Sequence, residues 1–164
     1  MGRYTTVMGS LKRFEKGQLT VIDGDPRHYC HSNIFEVASR ASAWEKVAVA
    51  RNLEYVVEAI RAEGTSGWFA SNHDEFVVVL DGEVTISYAE PGPAALRPEK
   101  DGTQRLERPP GGKKIGRVHL KRGHQALLPK GTAYQFTAAS PSVMIQQTVV
   151  GELTVQRWAE ICTH

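Results

Sequence analysis

An all-β barrel is the fold class that this sequence predicts, and three observations predict it. Short runs rich in Val, Ile, Tyr and Phe recur along most of the chain, punctuated by Gly and Pro. One Asp-Gly pair, Asp81-Gly82, joins two clear strand patterns. Helical spacing is limited to one short stretch near the start.

In order, Ser32 and Asn33 precede Ile34, Val37, Ala38 and Ala41, and Glu36 stands three after Asn33 as a capping box requires. A short helix is expected there, within an N-terminal arm spanning 1–45. The barrel is expected over 46–164. Glu54 to Ala62 has the length for a helix. Gly64 and Gly67 bound it and a clear strand pair follows, so a strand is expected. Phe76 to Leu80 is an apolar run, Asp81-Gly82 turns the chain, and Val84 to Tyr88 alternates. Residues 91–117 hold five prolines and read as one long loop between strands, either a solvated excursion or an arm that meets a partner. Order is expected again from Val118, through Gln125 to Leu128 and Tyr134 to Thr137. Val143 to Val150 and Leu153 to Trp158 complete the strand set.

The bulk numbers exclude several functions. The chain has 164 residues, 41% apolar and 23% charged, with a net charge of +2. That length suits one domain with its own core. So small a charge, with no basic stripe interleaved with aromatics, argues against nucleic acid. No apolar stretch is long enough to span a membrane, and Met1 to Ser10 has no apolar leader. Two cysteines, Cys30 and Cys162, are weak evidence for a disulfide, so the cytoplasm is the expected compartment.

Two segments carry a family resemblance. Gly67 to Gly82 contains Glu75 followed by six residues and Gly82, and Gly123 to Ala138 contains Gly123, Pro129 and Gly131 in the frame G-x5-P-x-G. Together they resemble the two motifs of the cupin family, double-stranded β-helix barrels. In that family the first motif supplies two histidines and a glutamate and the second supplies one histidine, which hold a divalent ion with open positions for substrate. Here Phe69 and Ser71 stand where the first two histidines belong and Tyr134 where the last does. Glu75 alone is kept. The resemblance implies the barrel and argues against a metal in this chain.

Other histidines are weighed too. By strand alternation His73 would share the interior with Glu75, so His73, Glu75 and Tyr134 are the candidate residues of a vestigial pocket. A weak metal site or an acid/base couple there is the minority reading. His28-Tyr29-Cys30-His31 offers zinc-type ligands without a matching second cluster. His119 and His124 are expected at the surface. No nucleophile elbow, phosphate loop or catalytic carboxylate pair is present, so no catalytic residue is assigned.

The stretch Asn52 to Phe69, running into His73-Asp74-Glu75-Phe76 and Asp81-Gly82-Glu83-Val84, resembles the small subunit of two-subunit hydroquinone 1,2-dioxygenases. That resemblance implies a larger cupin partner carrying Fe(II), two of each chain in the assembly, and an aromatic substrate cleaved to 4-hydroxymuconic semialdehyde. It implies no cofactor in this chain. Trp68 and Phe69 are then the candidates for a substrate-pocket or interface role, with Trp44, Trp158 and Tyr29 as further aromatic anchors. The alternatives are a free-standing cupin enzyme and a small-molecule-binding cupin, either using an atypical His73/Glu75/Tyr134 pocket.

Overall fold

Alternating burial along long strands is what closes this chain on itself. The computed structural model describes residues 9–14, 22, 32–93 and 95–161. Helix α1 (Ile34–Arg40) begins where expected. The Asn33 side chain accepts from the Phe35 and Glu36 amides at 2.9 and 3.2 Å, capping two donors that the first turn leaves open. Val37 in α1 and Ala41 just after it pack on Val47 and Ala59, which fixes the arm to the barrel.

Strand β1 (Lys46–Asn52) turns at Leu53-Glu54 into β2 (Tyr55–Ser71). Residues 54–62 are therefore strand, apart from Glu54 in the turn, as the flanking glycines suggest. β3 (Glu75–Asp81) and β4 (Glu83–Ala89) follow, joined by Gly82 at φ 76°. A Cβ at Gly82 would sit 2.2 Å from the Ser142 hydroxyl, so both the backbone and the space require glycine. β5 (Thr103–Arg105), β6 (Lys114–Lys121), β7 (Gln125–Leu128), β8 (Ala133–Val149) and β9 (Thr154–Val155) complete the sheet, and α2 (Trp158–Ile161) ends the described chain.

β2 and β8, each 17 residues long, pair antiparallel with each other along most of their length. The first half of β2 carries β1, and its last three residues carry β5. β8 carries β4 on its first half and β3 on its second. β6 and β7 lie outside β4 and β3, and β9 runs parallel to β1. Irregular pairing at Ala62/Gly64 and Thr65/Trp68 bends β2 from one layer to the other. The main buried cluster draws on both layers, with Ile60, Phe69, Val77, Val79, Val84, Ile86, Tyr134, Phe136 and Met144 among its members. This is the cupin barrel, with its core between the halves of the two long strands.

Three expectations need correction. The stretch 91–117 is not one loop: β5 pairs with the end of β2, and β6 starts at Lys114. The Asn72 amide donates to the carbonyls of Arg97 and Lys100, and the Gln104 amide bonds Arg97 as well, so side chains staple the segment down. Val143 to Val149 is also not a separate strand. It continues from Ala133 through Pro141, because residues 139–141 lie at the bend, where β2 offers no partner to an N–H that proline lacks. Of Leu153 to Trp158 only Thr154 and Val155 are strand, and Trp158 opens α2. Among the described residues, no helix is long and apolar enough to cross a membrane.

Candidate functional site

Three of the four positions at which cupins place metal ligands, Phe69, Glu75 and Tyr134, converge inside this barrel. Phe69 lies opposite Tyr134 in the β2–β8 ladder, and the Tyr134 hydroxyl donates to Glu75 Oε2 at 2.5 Å. Thr103 and Thr148 both donate to Glu75 Oε1 at 2.5 Å. Glu75 thus has each oxygen engaged by hydroxyls from β5 and β8. Ser71 turns away and donates to the carbonyl of His73. Phe69, only 5% exposed, packs its ring 6.0 Å from Tyr134 and 6.5 Å from Phe136.

His73 sits in the β2–β3 connection rather than on a strand. It nonetheless reaches the same cluster: Nε2 lies 3.0 Å from Thr148 Oγ1 and 3.9 Å from Glu75 Oε1. The Val149 amide donates to that nitrogen, so the nitrogen acts as an acceptor. His73, Glu75 and Tyr134 are therefore brought together, with Thr148 as the link.

The network continues into residues that sequence reasoning missed. Gln146 donates to Thr103 at 3.0 Å and to Tyr134 at 3.3 Å, and its carbonyl accepts from the Lys46 ammonium at 2.6 Å. Lys46 is only 3% exposed and stands 3.6 Å from Glu58 Oε2 and 5.3 Å from the centre of the Phe69 ring. Thr154 donates to Glu58 Oε1 at 2.7 Å. A signal for two of them existed. Glu58 shares the inward parity of Val56, Ile60 and Ala62, and Gln146 that of Met144, so each is a polar residue on an apolar face.

These residues do not fit a ferrous ion. An iron site wants several imidazole and carboxylate lone pairs aimed at one point. Phe69 and Tyr134 offer none, and both oxygens of Glu75 are saturated by hydroxyl donors. Among the described residues no three His, Cys, Asp or Glu side chains gather as a metal group. The cluster His28-Tyr29-Cys30-His31 lies outside the described residues. Burial first, and the neighbouring Glu75 second, push the Tyr134 phenol well above its ordinary value of 10, so it serves as a donor and never as a base. His73, Glu75 and Tyr134 are absent from the walls of the two cavities, about 610 and 310 Å³, that Thr103 and Phe69 respectively border.

Glu58 carries a testable pH signature. Burial raises its carboxyl above the ordinary 4.5, with Lys46 pulling the other way. A raised acid binds its proton more tightly in the folded state. Its contribution to stability is fully present below 4.5 and is lost as pH rises through the raised value. Wild-type Tm should therefore fall relative to Glu58→Gln as pH is taken upward from 4.5. Thermal melts across that window would show a constant offset if burial of Glu58 were not controlling.

Among the other aromatics, Trp68 faces away from the interior, half-buried against Ala95, Leu96 and Leu106, and its carbonyl accepts from the Leu106 amide at 2.8 Å. Trp44 stacks on Phe136 at 5.8 Å and 10°. The Trp158 indole donates to Gln156, and Tyr29 lies outside the described residues. His119 is exposed and pairs with Glu83 at 3.0 Å.

No protein-family model and no curated protein match the chain. Solved structures do. A chain in the crystal structure of hydroquinone 1,2-dioxygenase PnpCD with Cd2+ and 4-hydroxybenzonitrile is 49% identical, with a TM-score of 0.91 over 99% of this chain and 98% of that one. A chain of hydroquinone 1,2-dioxygenase from Sphingomonas sp. TTNP3, with 4-hydroxybenzoate bound, is 46% identical, with a TM-score of 0.93 over 98% of each chain. Two remoter matches speak to fold alone. A cupin-2 domain protein from Shewanella frigidimarina is 15% identical, with a TM-score of 0.51 over 70% of this chain and 89% of that one. A chain in the Fe3+ complex of PnpCD is 11% identical, with a TM-score of 0.63 over 85% of this chain but only 38% of that one. With close identity to two such enzymes along nearly its whole length, this chain belongs to the hydroquinone 1,2-dioxygenase family.

Proposed function

We propose that this chain is the small subunit of an Fe(II)-dependent hydroquinone 1,2-dioxygenase, a cytoplasmic assembly of two small and two large subunits. The observation that carries this reading is the pair of matches to PnpCD. One chain of that enzyme is matched end to end, and another is more than twice as long as the stretch it shares with this chain. A barrel whose ligand positions hold Phe69, Ser71 and Tyr134 supports giving the metal to the longer partner. When bound there, Fe(II) supplies the activation of dioxygen that opens hydroquinone to 4-hydroxymuconic semialdehyde.

The part left to this chain is shape and exclusion. Trp68 stands on the outer face of β2, supported from behind by Ala95, Leu96 and Leu106, and offers a rigid apolar surface to the partner. Placed against the partner's pocket, such a wall keeps water from the reacting ring and aligns a flat substrate. A free-standing enzyme built on His73, Glu75 and Tyr134 gains no support from the geometry, since the Glu75 oxygens are engaged and Tyr134 stays protonated.

Native mass spectrometry with metal analysis tests the reading, on the chain alone and after co-expression with its large partner. Expected are an iron-free, inactive chain alone and an active two-plus-two complex with iron on the larger chain. Trp68→Ala should lower kcat/KM of the complex by roughly 10-fold or more while leaving iron content unchanged. Stoichiometric iron or turnover on the chain alone would overturn the assignment.

A further inference from the structure

Between the start of β1 and β5, one edge of β2 runs without a strand partner, from Arg61, which bonds Trp44, to Trp68, which bonds Leu106. A cavity of about 310 Å³ opens at this seam. Trp44, Lys46, Gly67, Phe69, Arg105 and Leu153 line it. Its volume sits at the small end of ligand sites, enough for about one ring and a substituent.

The charges around it are unbalanced in one direction. Glu45 borders the cavity, but it is paired with Arg157 at 2.7 Å and accepts from the Ser42 amide. Glu58 faces Lys46 from inside the barrel. Arg97 and Lys100 are engaged by Glu107 and Glu152. Arg105 has no ion pair or hydrogen bond among the described residues, so it presents an uncompensated guanidinium at the rim. The buried Lys46 ammonium, beside the Phe69 ring, is balanced by Glu58, so the excess positive charge at the cavity is that of Arg105.

A second, independent feature shows that Arg105 has a prepared seat. A Cβ at Gly67 would lie 2.9 Å from Arg105 Nε and 3.4 Å from its Cζ. Gly67 is not among the glycines with positive φ, so backbone conformation does not account for it. The missing side chain leaves room for the guanidinium to lie over β2. Trp44 adds a third: it is held at φ 65° by its bond to Arg61, and its buried indole Nε1 has no partner among the described residues. A left-handed tryptophan is sterically disfavoured, and it persists because the surrounding structure holds it.

We propose that this seam is a binding site for a small planar carboxylate, its charge held by Arg105 and its flat body against Phe69, Trp44 and Leu153. Arginine meets a carboxylate with two parallel N–H bonds, a geometry that a neutral isostere cannot match. The site belongs to this chain alone and stands whether or not the subunit assignment does.

Benzoate is the probe and benzamide, its neutral isostere, the control, in calorimetric titrations of the full chain at low salt. Benzoate should saturate below about 10 mM and benzamide should not. Arg105→Gln should weaken benzoate binding by about 10-fold or more, because one charge-assisted bidentate pair is lost. Gly67→Ala should weaken it similarly by unseating Arg105, with far-ultraviolet circular dichroism unchanged in both variants. The Arg105 Nε resonance should shift on titration in the wild type. Failure of benzoate to saturate, equal binding of benzoate and benzamide, or indifference to Arg105→Gln would each overturn the proposal.

Discussion

Lys46→Met should destabilise the folded chain by about 3–5 kcal/mol, because it leaves the buried Glu58 carboxylate without its counter-charge. Lys46 and Glu58 are among the most buried polar residues of the barrel, and Lys46 is the cation beside Glu58 Oε2, an atom with no hydrogen-bond donor among the described residues. The change also removes the donor to Gln146 Oε1, so a second buried polar atom is stranded. Adding Glu58→Gln to Lys46→Met removes the unpaired charge, and the double variant should regain more than half of the loss. Urea unfolding at pH 7 of the two single variants and the double gives the coupling directly. A Lys46→Met cost below about 1 kcal/mol would show that water already reaches Glu58.

Glu75→Leu carries the second large effect. Leucine fills nearly the same volume but accepts nothing, so the hydroxyls of Thr103, Thr148 and Tyr134 lose their common acceptor. Thr148 has the His73 ring nitrogen beside it and can redirect part of its bonding, whereas Gln146 meets Tyr134 as a donor and leaves the phenol proton without an acceptor. A net cost of about 3 kcal/mol follows. For a chain of this size that is a drop in Tm of roughly 6–12 °C by scanning calorimetry. Glu75→Gln keeps an acceptor oxygen and should cost less. Were Glu75→Leu neutral or stabilising, the polar centre would contribute nothing to holding the barrel together. The result separates a structural carboxylate from one retained for a ligand.

The barrel was legible in the sequence for physical reasons that also explain what was missed. The pair β3–β4 declares itself through an Asp-Gly turn between strand patterns, and Asn33 announces α1 through a side chain that can cap it. The encounter of Glu75 with Tyr134 was legible because the motif frames fix which residues face inward. Lys46 was not, since a lysine at a strand start reads as solvated, and its partner Gln146 is 100 residues away. β5 was hidden because three residues inside a proline-rich stretch have too little pattern to show a period. Its pairing is decided by the β2 edge it meets, a tertiary property. The guanidinium seat at Gly67 was equally hidden, because the glycine reads as strand punctuation until Arg105 is placed beside it.

The layout of β8 sets the timing of folding during synthesis. This strand is the partner of β2, β3 and β4 at once, so neither layer is complete until Val149 has left the ribosome. At roughly 5–20 residues per second, β2 waits several seconds with its long edge open after Ser71 has emerged. During that interval the apolar faces of β2, β3 and β4 have no cover of their own. Nascent chains of this protein are therefore most exposed to chaperones, and to mispairing with one another on crowded polysomes, until β8 closes them.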